Sequence, residues 1–281
     1  MTYKIAADSS ANLLALDNVD FTSVPLKIVT ADKEYVDDGA LDVDAMVAEL
    51  AAYKGRSGSS CPNLADWMDA FQGADCVFGV TITSQLSGSY ASAMQAKAEW
   101  EKLHPEVKVH IVDTLSAGPE PQLIVEKLRE LIGQGLPFEA IVSSMERYRR
   151  HTHLLFSLES MKNLARNGRT SHAAAAIAGV LGIRVVGKAS DAGTLEVLHK
   201  CRGPKRTLQS TYDSMIAHGY AGGRVRIAQC QNADGANALR SMILYTWPQA
   251  DVRILPCRGL CAFYAESGGL MIGYEDHGLS T

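Results

Sequence analysis

Residues 77–100, VFGVTITSQLSGSYASAMQAKAEW, restrict the fold more than any other part of the chain. Val77, Phe78, Val80 and Ile82 form a short apolar run, broken by Gly79, that predicts a buried strand. A polar knot follows, Thr83-Ser84-Gln85-Leu86-Ser87-Gly88-Ser89, and then Ala91, Ala93, Met94, Ala96 and Ala98 supply helix propensity. A strand that delivers a Ser/Gly turn to a helix N-terminus makes an anion site. The first amides of that helix lack intrahelical partners, and the helix dipole favours negative charge there. The stretch itself leaves open which anion is held.

The same alternation of strand and helix runs through the first half of the chain. Residues 3–7 predict a strand ending at Asp8-Ser9-Ser10, with Ser9 or Ser10 capping a short helix over 11–15. Extended segments are expected at 22–29 and 33–36, and an amphipathic helix at 41–52. A Gly/Ser/Pro loop over 55–63 then leads into a helix at 64–71, capped by Asn63 or Ser60. Another strand, 107–112, ends at Asp113-Thr114, and helices follow at 120–133 and 138–150. Such alternation implies a mainly parallel, helix-covered sheet whose Ser/Thr/Asp-rich strand ends line one crevice.

Residues 151–157 read as a strand entering a second unit, and a helix over 158–165 stops at Asn167-Gly168. A small-residue helix follows at 172–180, then a strand pair at 184–187 and 195–198. Helices at 204–218 and 233–246 alternate with strands at 225–229, 252–255 and 269–274. The fold class expected is α/β, with two α/β domains over residues 1–155 and 156–281.

Composition removes several function classes. The chain has 281 residues, 47% hydrophobic and 21% charged, with a net charge of −4 and no long basic stripe, which argues against nucleic acid as a partner. Six cysteines without a CxxC pair fit reduced thiols in a cytoplasmic protein. The N-terminal MTYKIAADSS lacks the apolar core of a signal peptide, and no apolar run is long enough to span a membrane. No G-x-S-x-G, phosphate-binding P-loop, convincing dinucleotide fingerprint or zinc motif occurs. His151-x-His153 is too little for a metal site without a nearby carboxylate.

Three hydroxyl-rich helix starts remain: Ser59-Ser60, Ser84 with Ser87-Gly88, and Ser116 with Gly118. Capping alone accounts for any single serine, at about 1 kcal/mol each. Three of them at strand ends, with Arg169 just past a glycine turn, point to a site for a carboxylate or phosphate. The Ala173–Ala178 segment is small enough to pack closely or to leave room for an acyl chain.

These segments, in this order, resemble the DegV family over essentially the whole chain. The resemblance is carried by Asp8-Ser9-Ser10, the VPLKI segment 24–28, Tyr35-Val36-Asp37 and Ser59-Ser60-Cys61-Pro62-Asn63. It continues through Ser84-Gln85-Leu86-Ser87-Gly88-Ser89-Tyr90, Asp113-Thr114, Leu164 to Arg169, and Lys200-Cys201-Arg202-Gly203. The family's members are two-domain bacterial fatty-acid-binding proteins, some serving as the acyl-binding subunit of a fatty acid kinase.

The resemblance implies that Ser59 or Ser60, Ser87 and the Gly88 backbone hold a fatty acid carboxylate between the domains. Arg169 would stand near the mouth, and the acyl chain would run into the second domain. A separate fatty acid kinase would be the partner. It further implies no catalytic residue, no metal and no cofactor, the fatty acid being a ligand. One segment departs from the family pattern: Tyr264 stands where a histidine is usual, and Glu266-Ser267 replace Gly-Pro. Tyr264 is expected to face the carboxylate, and Glu266 to add a negative charge where an acyl phosphate would form. Two other functions stay open on the residues: a lipid carrier without kinase coupling, and a small-molecule enzyme using the serine-rich anion site.

Overall fold

The computed structural model describes residues 1–171 and 182–280. Strands β1 (Tyr3–Asp8), β2 (Asp20–Val24), β6 (Cys76–Thr81) and β7 (Lys108–Asp113) form an all-parallel sheet in the order β2-β1-β6-β7. All six residues of β6 are buried, as a central parallel strand covered on both faces requires. Helices α2 (Leu64–Phe71) and α3 (Ser89–Leu103) cover one face, where Trp67, Phe71, Ala93, Ala96 and Trp100 pack on Val77, Val109 and Ile111. Helices α4 (Pro119–Gly133) and α5 (Phe138–Tyr148) cover the other, where Leu123, Leu128, Phe138 and Ile141 meet Ile5, Phe78 and Val80.

A small antiparallel sheet of β3 (Lys27–Val29), β4 (Glu34–Val36) and β5 (Gly58–Ser60), in the order β4-β3-β5, stands beside this layer. It is joined by α1 (Val43–Ala52), which Asp42 caps through the Ala45 amide at 3.0 Å.

The second large sheet has the order β10-β9-β8-β13-β11-β12. Its strands are β8 (Thr152–Leu158), β9 (Ile183–Ala189), β10 (Leu195–Arg202), β11 (Val225–Gln229), β12 (Val252–Pro256) and β13 (Leu270–Glu275). Pairing is antiparallel except between β11 and β12. Helices α6 (Lys162–Arg166), α7 (Pro204–Ala217), α8 (Ala233–Thr246) and α9 (Gly259–Ala265) complete the described α-helices.

The parallel sheet uses residues 3–113 and the six-stranded sheet residues 152–275, so the expected boundary at 155/156 lies inside β8. Helix α4 lies between the two sheets, against β1 and β6 on one side and β8, β11 and β13 on the other. Residues 119–126 of α4 are therefore all buried. Its two buried carboxylates are paired across the junction. Thr152 Oγ1 donates to Glu120 at 2.9 Å, and the Arg226 guanidinium donates to Glu126 at 2.6 to 3.1 Å.

Three local expectations differ. No helix forms over 11–15; a single 3-10 turn, Ser9–Ala11, ends at Asn12 in the left-handed region, φ 63°. Asn12 is held there from afar, donating to the Pro256 carbonyl at 2.9 Å and accepting from the Arg258 amide at 2.6 Å. The segment expected as a helix at 158–165 begins as the end of β8 and turns helical only at Lys162. Helix α9 was not expected, because its amides are capped by a residue distant in sequence, Asp37. The small-residue helix expected at 172–180 lies outside the described residues.

Candidate functional site

The loop that leaves β6 is fixed from below by one buried carboxylate. Asp8, at the end of β1, is 1% exposed and accepts from the Ile82 amide at 2.9 Å, from Ser89 Oγ at 2.6 Å and from Ser10. It thus clamps both ends of residues 82–89. Burial pushes the Asp8 carboxyl up, while these four donors pull it back towards the ionised form. Asp37 does the same for α9. It is fully buried and accepts from the Gly259 and Leu260 amides at 2.7 and 2.9 Å, so it orients the helix that carries Tyr264.

Between these two fixed elements and the face of β8 and β13 lies a cavity with about 670 Å³ of space free of protein atoms, its mouth included. Its walls are mostly aliphatic. Leu154, Phe156 and Leu158 contribute alternate side chains of β8, as the two-residue strand period requires, and Met271 and Leu195 join them from β13 and β10. Leu26, Ile82, Leu86, Ala117 and Leu260 close the opposite side.

Polar groups in the lining are few: Ser59, Ser87, Arg169 and Tyr264. The Ser59 and Tyr264 hydroxyls are hydrogen-bonded at 2.7 Å across 205 residues of sequence. Burial pushes the Tyr264 phenol up, against a smaller opposing pull from Ser59 and Arg169, so it stays a neutral donor at physiological pH. Arg169 follows the α6 stop, where its amide returns to the Leu164 carbonyl at 2.8 Å past Gly168 at φ 72°. Its Nε donates to the Leu86 carbonyl at 3.1 Å, and its Nη1 donates to the Asn167 carbonyl. Ser87 Oγ accepts from the Ser89 amide at 3.2 Å, which leaves its own hydroxyl proton available at the start of α3.

The cavity therefore pairs one small hydroxyl-and-guanidinium cluster with an apolar body. Such a surface accommodates a chain with a single anionic head. Of the residues singled out from sequence, Ser59, Ser87, Arg169 and Tyr264 line this one cavity. Ser60 does not: it is exposed, because the residue after Ser59 on a strand faces the other side. Gly88 is also exposed and outside the lining; it caps α3 without a side-chain bond, with Cys61 Sγ 3.2 Å from where a Cβ would stand.

The three helix starts also sort differently. Ser59 and Ser60 lie on strand β5, and Asn63, not Ser60, caps α2. At the third start Ala117 reaches the cavity, while Ser116 turns its carbonyl to the Thr83 amide at 2.8 Å. Glu266 lies outside the cavity lining. Its carboxylate accepts from the Asn163 amide at 3.1 Å and borders a neighbouring groove with Lys54, Lys162 and Arg166.

Asp8 and Asp37, which the sequence shows only as members of motifs, are the groups whose clamping roles appear in the fold. Asp8 was legible as a cap, since an Asp two residues before the capped amide serves as well as Ser9 or Ser10. Asp37 left no local signal, its partners being 222 and 223 residues away. His151 and His153 both reach Asp276, at 3.0 and 2.9 Å, and no cluster of three metal-ligating side chains occurs among the described residues. All six cysteines are free, and Cys61 alone is more than marginally exposed. Among the described residues no helix is long and apolar enough to cross a membrane.

A family model described as "Uncharacterised protein, DegV family" matches residues 2–276. A DegV domain-containing protein of Streptococcus pneumoniae is 48% identical over 279 residues, covering 98% of this chain and 99% of the relative. Among solved structures, the Streptococcus pneumoniae Fatty Acid Kinase (Fak) B3 protein loaded with linoleic acid is 48% identical, with a TM-score of 0.97, over 98% of this chain and 100% of that one. A DegV family protein from Eubacterium eligens loaded with heptadecanoic acid is 40% identical, with a TM-score of 0.96, over 98% of this chain and 100% of that one.

Proposed function

The chain belongs to the DegV family, and from that premise we propose that it binds a long-chain fatty acid and serves as the acyl-binding subunit of a separate fatty acid kinase. The observation that carries the reading is the shape of the cavity's chemistry: four polar side chains, Ser59, Ser87, Arg169 and Tyr264, on an otherwise aliphatic wall. The carboxylate sits among these four, and the acyl chain runs along Leu158, Phe156 and Leu154. Each methylene taken from water contributes about 0.8 kcal/mol, so the chain supplies most of the affinity and the head group supplies orientation. The likeness to the Fak B3 protein supports the kinase as partner and a substrate-carrying, non-catalytic part for this chain. The protein shields the acyl chain and presents its carboxylate, and the bond to phosphate is made by the partner.

Denaturing the purified protein and analysing the released small molecules by mass spectrometry tests the reading. A long-chain fatty acid near one equivalent is expected, or stoichiometric uptake when one is added. The absence of both release and uptake refutes it. Adding a fatty acid kinase and ATP to the loaded protein should then give acyl phosphate; binding without any acyl phosphate removes the kinase and leaves a carrier.

A further inference from the structure

We propose that Thr83 is a positioning residue that latches the ligand cavity shut, and that its hydroxyl sets how fast a bound acyl chain exchanges. The proposal rests on the fatty-acid reading above. Thr83 is 1% exposed and does not line the cavity, yet it ties together three segments that do. Its amide donates to the Ser116 carbonyl at 2.8 Å, next to Ala117. Its carbonyl accepts from the Leu86 amide at 3.2 Å, and the Leu86 carbonyl in turn receives Arg169 Nε at 3.1 Å. Its hydroxyl donates to the Gly193 carbonyl at 2.9 Å, at the tip of the β9–β10 hairpin.

That last bond joins the two halves of the chain close in sequence to Leu86 and Leu195, which line the cavity from either half. The hairpin turn is rigid on its own account. Ser190 N donates to the Thr194 carbonyl at 2.7 Å, Gly193 N donates to the Ser190 carbonyl at 2.8 Å, and the Ser190 and Thr194 hydroxyls are bonded at 2.8 Å. Leu195, two residues past Gly193, is a wall of the cavity. Gly193 has φ 84°, and a Cβ there would stand 2.3 Å from Thr83 Oγ1 and 3.2 Å from Leu115 Cδ2. Only a glycine backbone seats in this notch, so the tip is fitted to Thr83. Among the described residues this is the one hydrogen bond between the hairpin and the loop that carries Leu86 and Ser87. A stiff hairpin held to a clamped loop by one hydroxyl is a closure that opens when that bond breaks.

The test is displacement of a bound fluorescent fatty acid by excess oleic acid in stopped flow, well below the melting midpoint. Thr83→Val keeps the shape and removes the hydroxyl, with both its bond to the Gly193 carbonyl and its acceptance of the Gln85 amide at 3.2 Å; its off-rate should rise about tenfold, the order set by the one bond that crosses to the hairpin. Thr83→Ser keeps the donor and should stay within about twofold of wild type. Gly193→Ala forces the tip away from Thr83 and should speed release in the manner of Thr83→Val. A Thr83→Val off-rate equal to wild type, or a Thr83→Ser rate as fast as Thr83→Val, overturns the latch while the functional reading stands. A wild-type protein that takes up no fatty acid overturns that reading instead.

Discussion

Tyr264→Phe removes a single oxygen from the cavity and leaves its packing in place, since the ring stays against Phe263 at a centroid distance of 4.8 Å. In the unliganded protein the lost bond to Ser59 is worth about 0.5–1.5 kcal/mol, as for an ordinary hydrogen bond. With a carboxylate in the cluster, the same hydroxyl donates to a charge, which raises the loss to about 1.5–3 kcal/mol, or roughly 10–150-fold in Kd. Ser59→Ala should cost a similar amount. Because the two hydroxyls are 2.7 Å apart and serve one head group, the double variant should depart from additivity by more than about 0.5 kcal/mol. Isothermal titration at pH 7.5 with a fatty acid, and with the alcohol of equal chain length, provides the measurement. The acid should lose affinity in both single variants and the alcohol should lose much less. Equal losses for acid and alcohol would refute the reasoning, because the hydroxyls would then be supporting the wall rather than the charge.

Arg226, 1% exposed in its side chain, bridges Glu126 at 2.6 Å and Asp251 at 2.8 Å. Arg226→Met strands a buried carboxylate on α4 and should cost about 3–5 kcal/mol in urea denaturation, most of it recovered by adding Glu126→Leu. Asp8→Asn places an amide nitrogen or a single carbonyl where four groups donate to a carboxylate. It should lower stability by about 1–3 kcal/mol and weaken fatty acid binding, both read on one sample by thermal melting with and without ligand. Burial pushes the Asp276 carboxyl up, but His153, the Gly278 amide and His151 outweigh it and hold the group below its ordinary value. Its stabilising contribution is therefore complete above about pH 4 and lost as pH falls through the depressed value. The stability gap between wild type and Asp276→Asn should close as the pH falls below about 4; a gap that persists or widens in that acid range contradicts the sign.

Much of the fold was legible because its signals are local. The β6 run and the alanines of α3 announce a strand and a helix, and 64–71, 225–229 and 233–246 are bounded as the pattern predicts. The boundaries that moved did so under long-range hydrogen bonds. Asn12 is drawn out of helix by Pro256 and Arg258, and α9 exists because Asp37 caps it from the other half of the chain. The site divides the same way. Ser59, Ser87, Arg169 and Tyr264 come from motifs whose order is visible in sequence. Ser60 and Gly88 fall outside the lining because strand alternation and the entry angle of α3 aim them elsewhere. Glu266 carries a left-handed backbone, φ 54°, that points its carboxylate to Asn163, a geometry no spacing rule conveys. Thr83 looked like one hydroxyl among several, and its distinction, a partner 110 residues away, exists only in the folded chain.

A crystal structure of the protein with oleic acid tests the central claim most directly. The account predicts the carboxylate within hydrogen-bonding distance of Ser59, Ser87 or Tyr264, with the chain laid along Leu158, Phe156 and Leu154. A head group at the Leu154 end, or a chain bound outside this cavity, would contradict it.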